Sequence, residues 1–556
     1  MKYENVFSLL EDVTLKFNEK TSLGIKTSLG WSEFTYKGLG LLSRKLARYL
    51  IEDLNIQKGE RLAILSESMP EYGACVFGSV LAGLTTVPLD NKLTIYELKS
   101  ILSNAEPAVL LASSSNLARA KELKDSIPSI KHLILTESFE NSENIQTLYS
   151  IPNEYNAKWR RRPLNDTAFI IYTSGTTGAP KGVEITFKNM LAQMHDTRPV
   201  VDELIPHPDM KVLSILPMNH LFELTVGFFT FLNHGFSIYY AKSLKPKDIM
   251  QVMVEKQITF MITVPAFLKL LKTSIESELS KSSKLQKALF KTCYFMAQFL
   301  PKGGKRFLFK KIHDKFGGKF SGCIAGGAPL DENVGKFFER IGIDVYQGYG
   351  LSEASPVVAV NRGKYKNMKS VGPALNSLQT KIDEKTGELL LKGPSIMKGY
   401  YKNQELTNDV ISEDKWLHTG DIANIDKHGL IYITGRIKNM IVLTGGKKVF
   451  PEEIETVLSQ SPNFQEICVL GMPKTFGEKD GQEEIAVIIV PTQSYAQKFN
   501  DKKELEFAIT KEIKMLSAQL AHYKRPVKII VRQESLPRTT TNKLKRKDIK
   551  EMFCNV

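Results

Sequence analysis

The chain has 556 residues, 42% hydrophobic and 24% charged, and its 75 Lys and Arg outnumber 60 Asp and Glu to give a formal charge of +15. This composition excludes a disordered or collagen-like chain, allows several domains and favours anionic partners such as nucleotides, an acidic carrier protein or anionic lipid. Nucleic acid is not expected, because no zinc-finger, basic-zipper or RNA-recognition signature accompanies the charge. The five cysteines are scattered without a CxxC pair, which argues against a disulfide framework or zinc site and suits a reducing, cytoplasmic compartment. The start of the chain has no signal-peptide pattern.

Residues 1–60 read as amphipathic helices and a short hairpin. Strands are predicted at 61–65, 85–89, 108–112 and 131–135, with helices at 70–83 and 96–104 between them. The apolar run Ala74 to Leu89 contains Gly, Thr and Pro and is too short for a membrane span, so it reads as buried core. Strand 168–172 leads into a glycine-rich loop. Further strands at 212–216, 235–240, 260–264, 322–325 and 344–347 form a second βαβ series. Residues 269–319 read as helical, basic and aromatic, and the stretch 290–311 as a possible peripheral membrane contact. A period of two over 377–391 predicts a small antiparallel β-unit, and the last ~115 residues a separate α+β domain.

The loop is Tyr172-Thr-Ser-Gly-Thr-Thr-Gly-Ala-Pro-Lys-Gly182. Glycines allow close backbone approach, and successive N–H groups with Thr and Ser hydroxyls make an anion cradle. It is not a Walker A loop, because Pro180, Lys181 and Gly182 stand where Gly, Lys and Ser or Thr are required. Three more motifs follow strands or turns. Ala325-Gly-Gly-Ala-Pro329 permits approach of a flat ring. In Gln347-Gly-Tyr-Gly-Leu-Ser-Glu353, Tyr349 is placed to stack on a base, and Glu353 is a natural Mg²⁺ carboxylate. In Trp416-Leu-His-Thr-Gly-Asp421, an aspartate suits ribose hydroxyls.

In this order, the motifs resemble those of the adenylate-forming superfamily, and most of all its AMP-forming acyl-CoA synthetases of the long-chain type. The resemblance runs from about residue 30 to 550. It implies an α/β fold, with a large N-terminal domain of doubly wound βαβ subdomains plus a small β-unit (1–437). A small, mobile α+β C-terminal domain (438–556) would turn about Lys438. It implies phosphate binding by Thr173, Ser174, Gly175, Thr176, Thr177, Gly178 and Lys181, with Thr176 and Glu353 toward Mg²⁺. Adenine would meet Gly326, Gly327, Ala328, Pro329, Gly348, Tyr349, Gly350 and Ser352. Asp421 and Arg436 would meet ribose, and His220 would lie beside the substrate carboxylate.

Gly445 and Gly446 would line the pantetheine tunnel of coenzyme A. Lys543, in Leu536-Pro-Arg-Thr-Thr-Thr-Asn-Lys543, would bridge the incoming carboxylate and the α-phosphate. The pattern usually has Gly before this lysine and Thr at Ser352; here Asn542 still tolerates a tight turn and Ser352 keeps the hydroxyl. The implied reaction uses ATP, Mg²⁺ and coenzyme A to activate a medium- or long-chain fatty acid. An acyl carrier protein as acceptor, an aryl acid as substrate and a non-catalytic nucleotide sensor stay open as alternatives.

Overall fold

The computed structural model describes residues 6–137, 145–152, 159–173, 181–205, 209–243, 245–443, 447–473, 483–538 and 544–554. It divides into two compact units, Met1–Gln379 with Leu391–Leu417, and Thr380–Leu390 with His418–Val556.

The first unit is built on two eight-stranded sheets. One has Arg61–Leu65 near its middle, parallel to Thr85–Pro88 on one side and Val109–Ala112 on the other. Strands covered on both faces need apolar side chains throughout, and Leu62 to Leu65 are all buried. Pro70 opens the helix Pro70–Leu81, where its missing N–H costs nothing, and all twelve residues of that helix are buried. Gly78 makes this possible, since a Cβ there would lie 2.8 Å from Leu46. The apolar run 74–89 is therefore core, as its composition predicts. Among the described residues, no helix is long and apolar enough to cross a membrane.

The second sheet has the order Val357–Val360, Asp344–Gly350, Gly322–Ala325, Phe260–Thr263, Lys211–Ser214, Ser237–Tyr240, Thr21–Thr27, Gly30–Thr35. Sequence order reverses between Lys211–Ser214 and Phe260–Thr263. Such a reversal opens a crevice at the carboxyl ends of parallel strands. The predicted N-terminal hairpin exists, but it extends this second sheet, with Leu23 beside Ile238. Local periodicity carries no information on so distant a partner. The basic stretch forms helices Pro265–Ser280, Lys284–Met296, Lys302–Leu308 and Lys310–Lys315. Ser283 and Gln286 close a reciprocal capping box on the second of these, satisfying two end N–H groups.

In the second unit, Leu430–Arg436, Leu417–Ile425, Glu388–Lys392 and Gln379–Ile382 are successive neighbours in one sheet. A second sheet contains Phe464–Pro473, Glu483–Pro491 and Lys528–Val531. Its middle strand is apolar on both faces because helices cover both. Ile485, Val487 and Ile489 pack with Leu505, Ile509 and Ile513, whereas Ala486, Ile488 and Val490 pack with Leu536 and Ile549. The mixed α/β architecture, with a large N-terminal and a smaller C-terminal part, is the one expected. Residues 418–436 belong with the C-terminal part, whereas the sequence reading puts its pivot at Lys438.

Candidate active site

Loops at the carboxyl ends of the strands bring the first unit's motifs together. Lys211–Ser214 runs into the turn that carries His220, whose N–H is donated to the Pro217 carbonyl at 3.0 Å. In the same turn the Met218 N–H is donated to Ser68 Oγ at 3.0 Å. Ser68 follows the strand Arg61–Leu65, so the two sheets are joined at their carboxyl-end loops beside half-buried His220.

After the turn, Glu223–Thr230 winds as a π-helix, fully buried; such widened turns recur at functional sites. Ser214 Oγ donates to Glu223 Oε1 at 2.7 Å, and a Cβ at Gly227 would lie 2.3 Å from that oxygen. Burial outweighs the hydrogen bond and pushes the Glu223 carboxyl up to about 8. It is neutral at pH 7 and fastens the π-helix to the strand. A carboxyl whose folded pKa exceeds its ordinary value of 4.5 contributes stability that is lost as pH rises through the folded value. Glu223→Gln therefore removes a fall in stability between about pH 4.5 and 8. Thermal melts at about pH 5 and pH 9 should coincide with wild type at the first and exceed it by several degrees at the second. Parallel melting curves for the two proteins across that window would refute the assignment.

Thr263, Ala325 and Gln347 stand side by side in three neighbouring strands. Gly326 follows, its N–H donated to the Thr263 carbonyl at 3.1 Å. A Cβ at Gly326 would sit 3.2 Å from the Phe222 ring, so the Gly326–Pro329 turn lies against the segment that begins at His220. Gly327 has φ of +82°, a conformation open to glycine. Gly327, Ala328 and Pro329 are exposed. Gly348, Tyr349 and Gly350 end the next strand, and a Cβ at Gly350 would lie 1.9 Å from the Pro356 carbonyl oxygen. That close approach is the reason for glycine there. The sequence reading overlooked Gln347. It is buried, and its Oε1 has no hydrogen-bond partner among the described residues.

Ser352 and Glu353 form a short 3₁₀ turn. Tyr400 Oη donates to Glu353 Oε1 at 2.8 Å. Burial first, and then Glu353, hold the phenol protonated. Tyr400 belongs to Gly399–Tyr400, which pairs with Lys181–Thr186, and Lys181 Nζ lies 5.7 Å from its ring. Thr173 and Lys181 are antiparallel partners. Tyr400 thus stands between Lys181, where the described chain resumes after the glycine-rich stretch, and Glu353. Residues Ser174, Gly175, Thr176, Thr177 and Gly178 lie outside the described residues. A single carboxylate at this place fits Mg²⁺, which takes one or two protein carboxylates and fills its shell with phosphate oxygens and water. Among the described residues, no cluster of three or more His, Cys, Asp or Glu exists to hold a metal by itself. Nothing in the sequence spacing marks Tyr400 as a partner of Glu353.

In the second unit, Asp421 and Arg436 face each other across an antiparallel pair. Arg436 Nε donates to Asp421 Oδ1 at 2.5 Å and Nη2 to Oδ2 at 3.4 Å. The aspartate is buried while the arginine is exposed. The two expected ribose contacts are thus one forked ion pair, which fixes the carboxylate's orientation. Lys438 is exposed in the 3₁₀ turn Ile437–Asn439. Both of its sides are packed: a Cβ at Gly435 would lie 2.6 Å from the Phe450 ring, and Asn439 Nδ2 donates to Glu452 Oε1 at 2.6 Å. Gly445, Gly446 and Lys543 lie outside the described residues, but the flanks of Lys543 are fixed. Leu536 N–H donates to Glu466 Oε2 at 2.8 Å, and Arg538 pairs with Leu544.

Residues 11–401 match the family model described as AMP-binding enzyme, and residues 453–543 match the AMP-binding enzyme C-terminal domain. A long-chain-fatty-acid–CoA ligase, FadD15 of Mycobacterium bovis, is 27% identical over 467 residues, 80% of this chain and 76% of that protein. The long-chain-fatty-acid–CoA ligase of Bacillus subtilis is 28% identical over 590 aligned positions, 98% of this chain and 94% of that one. Among solved structures, an ATP-bound RpMatB–BxBclM chimera superposes with a TM-score of 0.79 at 24% identity, covering 99% of both chains.

Proposed function

Since the chain belongs to the AMP-binding enzyme family, we propose that it is an AMP-forming acid–thiol ligase that activates a medium- or long-chain fatty acid with ATP and passes the acyl group to coenzyme A. The observation that carries the reading is the meeting of Lys181, Tyr400 and Glu353. It sets the end of a phosphate loop beside one carboxylate, next to the turns that receive a purine. Bound there, Mg²⁺ neutralises phosphate charge. The chain's own residues do the rest. The 173–181 loop holds the β- and γ-phosphates, Tyr349 stacks on adenine, and the Arg436–Asp421 pair takes the ribose hydroxyls. His220 orients the substrate carboxylate, which attacks the α-phosphate with Lys543 bridging the two. Pyrophosphate leaves. The C-terminal part then turns about Lys438 and brings Gly445 and Gly446 to the site. The thiolate attacks the acyl carbon, and AMP leaves.

The choice of fatty acid rests on the apolar segment Met218 to Tyr240 behind His220, where Leu224, Phe228, Phe229 and Leu232 are buried. It rests equally on relatives named long-chain-fatty-acid–CoA ligases. Free thiols at Cys75, Cys293, Cys323 and Cys468 suit a cytoplasmic enzyme, and contact with a membrane surface would bring it to acids held in lipid. A series of straight-chain acids, with coenzyme A and acyl carrier protein as alternative acceptors and products identified by mass, tests the reading. With coenzyme A, kcat/KM should rise about fourfold per added methylene until the acyl site is filled. Thioester formation on the carrier alone would change the acceptor. No thioester from any acyl chain would remove the proposal.

A further inference from the structure

The helices Lys284–Met296 and Lys302–Leu308 present two different faces. Toward the domain, Phe290 packs on Phe309 at a ring separation of 5.5 Å, and Tyr294 packs on Phe337 at 6.0 Å. Lys302 pairs with Asp344 at 2.5 Å. Arg306 donates to the carbonyls of Phe320 at 2.6 Å and Gly318 at 2.7 Å. These groups, several of which sequence alone assigned to a membrane contact, are occupied in holding the helices down.

The opposite face is apolar and open. Leu285 is 79% exposed, Phe299 74% and Phe307 80%; Leu289, Phe295 and Met296 are also exposed. At about 100° per residue, Leu285, Leu289 and Met296 fall within about 40° of one another. Phe295 lies about 80° to one side of that stripe, Lys284 and Lys291 follow within about 40° beyond it, and half-buried Lys287 is on the side of Tyr294. From Lys281 to His313 there are nine Lys and Arg and no Asp or Glu. None of Lys281, Lys284, Lys287 and Lys291 is within ion-pair distance of a carboxylate among the described residues.

We infer that this outward face docks on an anionic lipid bilayer. Its six exposed apolar side chains enter the boundary between headgroups and acyl chains, and Lys284 and Lys291 meet lipid phosphates. Large apolar side chains ringed by cations match such a surface. A second copy of the same face fits poorly, because two acid-free basic patches repel. An acidic protein alone supplies the charge without the apolar phase that the exposed phenylalanines need.

The test is co-sedimentation of the full chain with vesicles of phosphatidylcholine alone and of an equal mixture with phosphatidylglycerol. Binding should be confined to the mixed vesicles and weaken as salt is raised. Two variants, the triple Leu285→Ser/Phe299→Ser/Phe307→Ser and the double Lys284→Glu/Lys291→Glu, should each bind on the order of a hundredfold more weakly, with unchanged thermal melts because all five sites are exposed. Equal binding to neutral vesicles, wild-type affinity in either variant, or no binding at all overturns the inference. So does a wild-type dimer in sedimentation velocity that either variant converts to monomer. The readout is lipid-bound protein, so it succeeds or fails independently of the acid the enzyme activates.

Discussion

Replacing Lys543 with alanine should lower pyrophosphate release from acid and ATP by at least 10²–10³-fold, the usual consequence of removing one group that stabilises transition-state charge. The same variant, given preformed acyl-adenylate and coenzyme A, should still make thioester, because in the proposed mechanism the lysine serves only the first half-reaction. The fold should be indifferent to the change. Leu536 is tied to Glu466, Lys545 N–H donates to the Pro537 carbonyl at 3.0 Å, and Arg538 reaches Glu466 at 3.5 Å. These anchors do not involve the Lys543 side chain. Pulse measurement of each half-reaction decides the matter. Adenylation at the wild-type rate would show that another residue bridges carboxylate and α-phosphate.

Arg546, only three residues on, should behave in the opposite way. By sequence it belongs to a basic tail with Lys545, Lys547 and Lys550. In the structure its guanidinium is largely buried and forks the Glu455 carboxylate at 2.8 and 2.7 Å, while Nη1 also donates to the Val469 carbonyl at 2.8 Å. Glu455 in turn accepts the Val469 N–H at 2.8 Å. The pair ties helix Pro451–Leu458 to strand Phe464–Pro473 and to the last helix. Arg546→Ala leaves a buried carboxylate without its cation, which costs about 3–5 kcal/mol and should lower the melting temperature of the C-terminal part on the order of ten degrees. Replacing both partners, as Glu455→Leu with Arg546→Met, should recover most of that loss. Calorimetry of the three proteins separates the outcomes. A single variant that melts with wild type would mean that the pair is solvated.

The two predictions mark how far the sequence could be read. Strand and helix positions from Arg61 to Val345 are legible because buried parallel strands are short, apolar and bounded by turn residues. The loop motifs are legible because glycines and hydroxyls near phosphate are scarce in ordinary cores. What stayed hidden depends on distant partners. Tyr400 meets Glu353 only because its short strand joins the strand after the glycine-rich loop. Gln347 gains its interest from a buried Oε1 without a hydrogen-bond partner among the described residues, and Glu223 from complete burial with Ser214 as a hydrogen-bond partner. Arg546 and Lys545 look alike in a basic tail, and only the fold separates the buried ion pair from the solvated charge.

The N-terminal hairpin bears on synthesis as well as on shape. Thr21–Thr27 leaves the ribosome early, yet its parallel neighbour Ser237–Tyr240 is made more than two hundred residues later. Parallel pairing over such a distance is slow and leaves strands exposed to other chains in the interval. Until then the hairpin has only its own two strands, which alone are marginal in water. Until Ser237–Tyr240 is made, the nascent chain therefore passes through a stage in which the hairpin's edge is open to a chaperone or to another nascent chain.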